Sequence, residues 1–267
     1  MKTTVLQSQH AYPRFSSLLP AFDIRSGAYC ARFARNEADL RNAQTLRYEV
    51  FNLELAEGFD RSHAEGRDID QYDAGCHHLL VIEQATGSVI GTYRMQIAEM
   101  AAAHCGFYSK DEFDLSNLPD AFLNNAVELG RACVARDHRS GRVLYLLWRG
   151  LIHYLVQNRR RYFFGCSSIT SQDPVDAARV LAYLRANGHL HPTLHVSPKP
   201  DFDVMPAAAA EHLADDAMIP RLMRLYLTYS SKICGTPAID RQFKTIDFFT
   251  VFDQCAVSKK TQKLLFT

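Results

Sequence analysis

The run from Val143 to Asn158 restricts the folds open to this chain more than any other segment. It is apolar enough to demand burial, yet Arg149 and His153 interrupt it, and it falls short of the ~18 uninterrupted apolar residues that a membrane span needs. It reads as a buried helix packed across a sheet. The strands for that sheet lie on both sides of it in the sequence. YCARFAR, from Tyr29, alternates like a first strand, and HHLLVIE and SVIGTYRMQI, joined at Thr86-Gly87, form a β-hairpin. NAVELGRACV reads as a buried strand, and YFFGCSSI and IDFFTVF complete the set. Asn36 caps a helix running to about Leu55, Asp173-Pro174 opens one that stops at Gly188, and another runs from about Pro220 to Cys234. A proline-rich connection spans His191 to Pro206. This order predicts one mixed α/β domain over 28–267, preceded by an aperiodic extension at 1–27.

Composition closes off several classes. A length of 267 residues suits one large domain, and a net charge of +1 leaves no basic excess to neutralise nucleic-acid phosphates. MKTTVLQSQH has no apolar core of signal-peptide length. The seven cysteines are odd in number and form no C-x-x-C pair, which points to reduced thiols in the cytoplasm.

Charged residues fall where apolar ones are expected. On the first helix Leu40, Ala43, Val50 and Phe51 form one stripe, and Arg47 sits in its middle. A guanidinium there is costly unless a carboxylate or a ligand meets it. On SVIGTYRMQI, Val89, Tyr93, Met95 and Ile97 share a face, so Arg94 lies opposite with Thr92 and Gln96. In VELGRACV, Glu128 and Arg131 have opposite parity, and a bulge at Gly130 would bring both to one face. Asp70 and Asp73 place two carboxylates in one turn of loop. Three acids and three arginines would neutralise one another if they converged.

The runs RYEVF, D-x-Y-D at Asp70–Asp73, GTYR and ELGR together resemble the acyl-homoserine-lactone synthases. Those are enzymes of the GNAT fold that use acyl carrier protein thioesters. The match departs at Leu53-Glu54-Leu55-Ala56-Glu57, where the synthases carry a tryptophan. RYEVFNLELAEG, the D-x-D-x-x-D loop before HHLLV, ELGRACV, HRSG, LLWRGLIHYL, FGCSSI and CGTPAIDRQFKTIDFF resemble the ornithine–acyl-carrier-protein N-acyltransferases of ornithine-lipid synthesis more closely. That resemblance covers roughly residues 30 to 253. It implies a GNAT-like, mostly antiparallel sheet with splayed central strands flanked by helices. It also implies transfer of a (3-hydroxy)fatty acyl group to the α-amino group of ornithine or a similar amino acid, giving a lyso-ornithine-lipid-type product. The co-substrate would be the acyl-phosphopantetheine of acyl carrier protein, with no permanently bound cofactor. The partners would be that carrier, the amino acid and, for product release, the inner face of the membrane.

At the pantetheine site His138-Arg139-Ser140-Gly141-Arg142-Val143 stands in place of the usual GNAT pattern. Arg139, Ser140, Gly141 and Arg142 open a helix whose free N–H groups suit one phosphate, which fits a carrier-protein donor better than a pyrophosphate. Within the cluster Glu128 is the candidate base, Asp70 and Asp73 hold a substrate ammonium, Arg94 or Arg131 grips its carboxylate, and Arg47 orients the acids. No metal is expected, because Cys76-His77-His78 and His104-Cys105 lack ligand spacing. Cys166 in its apolar strand reads as core rather than as a nucleophile, and Arg159-Arg160-Arg161 reads as a helix C-terminus or a carrier-protein contact. The alternatives are another N-acyl amino acid synthase (an acyl-homoserine-lactone type included), an acetyl-CoA acetyltransferase, and a non-catalytic module that binds acyl carrier protein.

Overall fold

The computed structural model describes residues 12–205 and 219–257. Residues 1–11 of the expected extension, the end of the proline-rich connection at 206, and 258–267 lie outside the described residues. Eight strands form one path: β1 (Asp23–Ser26), β2 (Tyr29–Phe33), β3 (His77–Glu83), β4 (Val89–Ile97), β5 (Ala126–Val134), β6 (Tyr162–Ile169), β7 (Ala238–Asp240) and β8 (Thr245–Asp253). Their spatial order is β1-β2-β3-β4-β5-β6-β8-β7, with Lys232–Ile233 also pairing on β8. Neighbours run antiparallel except β5 and β6, which are parallel.

Alternation along the strands assigns the layers. Leu79, Val81, Tyr93 and Met95 face helix α2 (Gly141–Gln157), whose Leu147, Trp148 and Leu151 fill the main core. On the opposite face Leu80 packs on Ala43 of helix α1 (Glu37–Tyr48), which is capped by the Asn36 side chain on the Asp39 amide. Helices α3 (Pro174–Ala186) and α4 (Arg221–Thr228) cover Ile246 and Phe248. The chain after α1 continues as a wider π turn over Glu49–Glu54.

Two boundaries differ from the sequence expectation. The sheet begins at Asp23 rather than Tyr29, because β1 pairs with β2 around a turn at Gly27, whose φ is 60°. DIRS is too short to display alternation. Residues ahead of it also dock on the domain: the Tyr12 hydroxyl hydrogen-bonds His78 Nδ1 at 2.8 Å, and the Arg14 carbonyl lies 2.7 Å from His77 Nε2. The helix expected over 220–234 ends at Thr228, where Ser230 turns the chain at φ 67° and Lys232–Ile233 joins the sheet.

The central strands splay where the sequence places the splay. β5 and β6 pair only from Ala126↔Tyr162 to Glu128↔Phe164 and then separate. Leu129 and Gly130 on one side, and Cys166 and Ser168 on the other, keep partial exposure along this wedge. At its narrow end a Cβ on Gly165 would lie 2.2 Å from the Leu129 carbonyl oxygen, a backbone atom that cannot swing away. Gly165→Ala is therefore expected to cost about 2 kcal/mol in urea unfolding through overpacking. Gly141→Ala, whose Cβ would meet nothing within 4 Å, should leave the midpoint nearly unchanged. An unchanged midpoint for Gly165→Ala would contradict this account of the closure.

Candidate functional site

Arg47 is wholly buried on α1, so its charge must be met inside the protein. Its Nη2 lies 2.7 Å from Asp73 Oδ2, and its Nε lies 2.8 Å from Asp68 Oδ2. Asp73 Oδ1 also meets Arg94 Nη1 at 3.0 Å, and Arg94 Nη1 reaches Asp70 Oδ2 at 2.6 Å. Asp70 Oδ2 lies 3.2 Å from Arg131 Nη2, and Arg131 Nε closes the circuit on Asp68 at 3.1 Å. Three arginines and three aspartates thus alternate in a closed ring. It ties the loop before β3 to α1, β4 and β5. The arginines hold the Asp70 and Asp73 carboxyls below their ordinary range, against the opposing effect of burial. Asp68 completes the ring; the D-x-D-x-x-D loop contained it, but its role was not read from the sequence.

Arg131 reaches the ring by a bulge. Thr92 pairs with Cys133 and Arg94 with Gly130, so Arg131 and Ala132 together oppose Tyr93. The bulge expected at Gly130 falls one residue later, with Arg131 itself at φ 48°. That backbone costs a non-glycine residue on the order of 1 kcal/mol, and the ion pairs and aromatic stacking hold it there. The Arg131 guanidinium lies 4.9 Å from the Tyr108 ring centroid and 4.4 Å from that of Phe243.

Two of the expected roles are corrected by the geometry. Glu128 accepts four hydrogen bonds: from Gln96 Nε2 at 2.6 Å, the Tyr108 amide at 2.8 Å, and the Ser109 amide and hydroxyl at 2.7 Å each. A carboxylate has about four lone-pair sites, so none remains to take a substrate proton. Glu128 instead fixes the turn at Tyr108–Ser109. Asp70 and Asp73 are likewise engaged. Asp73 meets Arg47, Arg94 and Gln44, and Asp70 meets Arg94, Arg131 and the Tyr72 amide. Neither is left to hold a substrate ammonium. The ring nonetheless retains a donor, since Arg94 Nη2 has no hydrogen-bond partner among the described residues, while Arg131 Nη2 has its ion contact with Asp70. Arg94 also borders a small cavity of about 10 Å³ lined by Cys76, Gln96, Tyr108, Glu128 and Gly130, room for about one water.

The loop residues stand together at the start of α2. Ser140 is the N-cap and makes no side-chain cap bond, leaving first-turn N–H groups for another acceptor. Arg139 is held by Glu54 at 2.6 Å through two nitrogens, and the Arg142 guanidinium runs against the β1–β2 turn at Gly27. A groove of about 570 Å³ adjoins this turn, lined by Leu46, Val50, Leu53, Glu54, Val89 and His138 among others. In the Arg159–Arg161 run, Arg161 pairs with Asp253 through two bonds and Arg160 pairs with Glu99.

The sequence reading missed a second set of acids beyond the wedge. Glu112, Asp240 and Asp247 are all buried, as is Glu57 beside Thr170. Burial pushes the Glu57 carboxyl up to about 7, and burial also raises Glu112, with the charges of Asp247 and Asp240 beside it, and Asp247, with that of Asp240. Cys166 lies 3.9 Å from Glu112 Oε2, and burial holds its thiol well above the usual range, as a core cysteine rather than a nucleophile. Glu112, Cys166 and Asp247 are also the group among the described residues whose spacing could hold a metal. The adjacent histidines do not join it. His77 meets Tyr154, with burial lowering its pKa to about 4, and His78 meets Asp73.

The ring makes a prediction with a fixed sign. Because the folded Asp73 carboxyl lies below its unfolded value of 3.8, the stability it contributes is whole above that pH and is lost as pH falls below it. Asp73→Asn should lose about 3 kcal/mol, with Arg47 and Arg94 left under-neutralised. The gap in urea midpoint between it and the native chain should be constant from pH 8 to pH 5 and narrow only below about pH 4. Narrowing already between pH 8 and 6 would contradict the assignment.

The family model of the acetyltransferase (GNAT) domain matches residues 46–149. The L-ornithine N(alpha)-acyltransferase of Rhizobium meliloti is 32% identical over 260 residues, 92% of this chain and 88% of that protein. The L-ornithine N(alpha)-acyltransferase of Brucella abortus is 33% identical over 238 residues, 85% of each. Among solved structures, the AHL synthase LasI aligns with a TM-score of 0.47 at 15% identity, over 89% of this chain and 94% of that one. With this identity extending over most of both chains, the protein belongs to the family of L-ornithine N(alpha)-acyltransferases and carries its GNAT-like fold.

Proposed function

We propose that this chain transfers a fatty acyl group from the phosphopantetheine thioester of acyl carrier protein to the α-amino group of L-ornithine, giving a lyso-ornithine-lipid-type product. The observation that carries the reading is the wedge between β5 and β6, with a helix N-terminus and groove beyond the end of β5 and buried ionisable groups across it. The first-turn N–H groups at Ser140–Gly141, with Arg139 and Arg142 beside them, suit the single phosphate of a carrier-protein arm. The thioester then lies along the wedge, where Leu129 and Gly130 present unpaired strand edge. The α-amine attacks the carbonyl, the C–N bond forms, and the pantetheine thiolate leaves. The amine must first lose a proton. Glu57, near neutrality, is the group suited to take it, since Glu128 has no free lone pair. Arg94, whose Nη2 has no hydrogen-bond partner among the described residues, grips the α-carboxylate with Arg131 beside it. No described helix is long and apolar enough to cross a membrane, so in this reading the amphiphilic product leaves by contact with a membrane surface.

Purified protein incubated with L-ornithine and matched thioesters tests the donor and the reaction together by mass spectrometry. Acyl carrier protein thioesters should exceed the CoA thioesters at least tenfold in kcat/KM, about 1.4 kcal/mol of transition-state binding. Equal rates would overturn the donor assignment, and carrier binding without acylation of any amino acid would make the chain a binding module. For the base, log kcat/KM should break near pH 7, with activity lost on the acid side where Glu57 is protonated. Glu57→Gln should abolish that break and lower turnover by roughly 10². A break that survives the substitution belongs to another group.

A further inference from the structure

The ring leaves Asp70 and Asp73 no oxygen for a substrate cation, while another set of acids has no cation at all. Glu112 Oε1 and Asp247 Oδ1 are buried and have no hydrogen-bond partner among the described residues, and nor does Thr245 Oγ1 beside them. The carboxylate oxygens of Glu112 and Asp247 lie within 4.8 Å of each other. Three acceptors around one ammonium nitrogen, each at hydrogen-bond distance, sit about 4.6 Å apart. Asp240 adjoins them, with Tyr108 Oη 3.5 Å from its Oδ2. No lysine or arginine forms an ion pair with any of the three among the described residues; beside burial, the charges of Asp247 and Asp240 raise Glu112 and that of Asp240 raises Asp247, while Glu112 and Asp247 also share a side-chain hydrogen bond. Two carboxylates buried without a counter-ion are unfavourable, and an incoming cation removes that penalty. The set is not sealed, because Cys166 and Ser168, which flank it on β6, keep partial exposure along the wedge. Tyr108 touches both sets: the Arg94 and Arg131 guanidinium groups lie over its ring, and its hydroxyl reaches Asp240.

We propose that Glu112 and Asp247, supported by Asp240, form the subsite that holds the side-chain ammonium of the acceptor, selecting an amino acid with a second, terminal amine. This rests on the reading of the chain as an amino-acid N-acyltransferase. The carboxylates bind the charged side-chain nitrogen, keep it protonated and therefore non-nucleophilic, and leave the α-amine as the group free to attack. Nothing covalent happens at the subsite.

The test pairs L-ornithine with L-norvaline, which has the same carbon chain without the terminal amine. In the wild type the kcat/KM ratio of ornithine to norvaline should be at least about 100, and Asp247→Asn and Glu112→Gln should each reduce that ratio at least about tenfold. A general folding defect lowers both rates and leaves the ratio intact, so a preserved ratio in both variants overturns the subsite while the acyltransferase reading stands. A second arm does not depend on turnover. Ornithine, but not norvaline, should raise the wild-type Tm, and the shift should vanish in Asp247→Asn. No ornithine-specific shift in a wild type that acylates neither amino acid overturns the subsite and the acceptor reading together. Stoichiometric zinc in the purified wild type, lost in Asp247→Asn, would make the cluster a metal site and also overturn the proposal.

Discussion

The closed ring of Arg47, Asp68, Arg131, Asp70, Arg94 and Asp73 is the interaction on which the rest of the site depends. Each member touches two opposite charges, so the ring is neutral as a whole although every side chain in it is almost fully buried. Removing one member does not remove one contact; it strands two partners in a medium where an uncompensated charge costs several kcal/mol. The ring also fixes geometry. It pins a loop that has little regular structure of its own, and it holds Arg131 in a left-handed conformation that its side chain would otherwise avoid. That bulge re-aims β5 just past the last pair it makes with β6, at the mouth of the wedge.

Charge is distributed unequally across the sheet face that carries these groups. On the β4–β5 side, acids and arginines balance, and Glu128 is saturated by the turn it supports. On the β6–β8 side, Glu112, Asp240 and Asp247 face one another without a counter-ion among the described residues. A substrate ammonium fits such an asymmetry in the proposed reading, because it finds on the β6–β8 side the charge that the protein leaves unmet. The same principle separates the two carboxylates considered for proton transfer. Four donors occupy Glu128, whereas burial with one hydroxyl partner leaves Glu57 near neutrality.

Much of this was legible before any coordinates. Arg47 announced itself by standing inside an apolar helical stripe, and Arg94 by strand parity. The Glu128–Arg131 mismatch called for a bulge, found at Arg131 rather than at the neighbouring glycine. The apolar run after His138 packs across the sheet as its composition demanded. What was missed has physical reasons. DIRS is too short for a period to show, and the helix expected to reach Cys234 stops where Ser230 adopts a left-handed turn. The unneutralised acids come from two distant segments, Glu112 from one and Asp240 and Asp247 from the closing hairpin. Asp247 lay in IDFFTVF, an apolar run whose one interior acid was the available signal, but nothing local to it or to Glu112 indicated that the two would meet. Roles were harder to read than positions. Proximity of Glu128 and the aspartates to arginines was inferable, while the number of donors on each oxygen is a property of the folded loop.

In the proposed reaction the protein orients a diamino acid by its two ends, leaving the α-amine to react. The position of the acyl group in the product tests this most directly. Tandem mass spectrometry of the species formed from L-ornithine and an acyl carrier protein thioester separates the α-N-acyl isomer from the δ-N-acyl isomer by their fragments. The α isomer alone is expected, with the side-chain amine free. A product acylated at the δ nitrogen, or a mixture of the two, would contradict it.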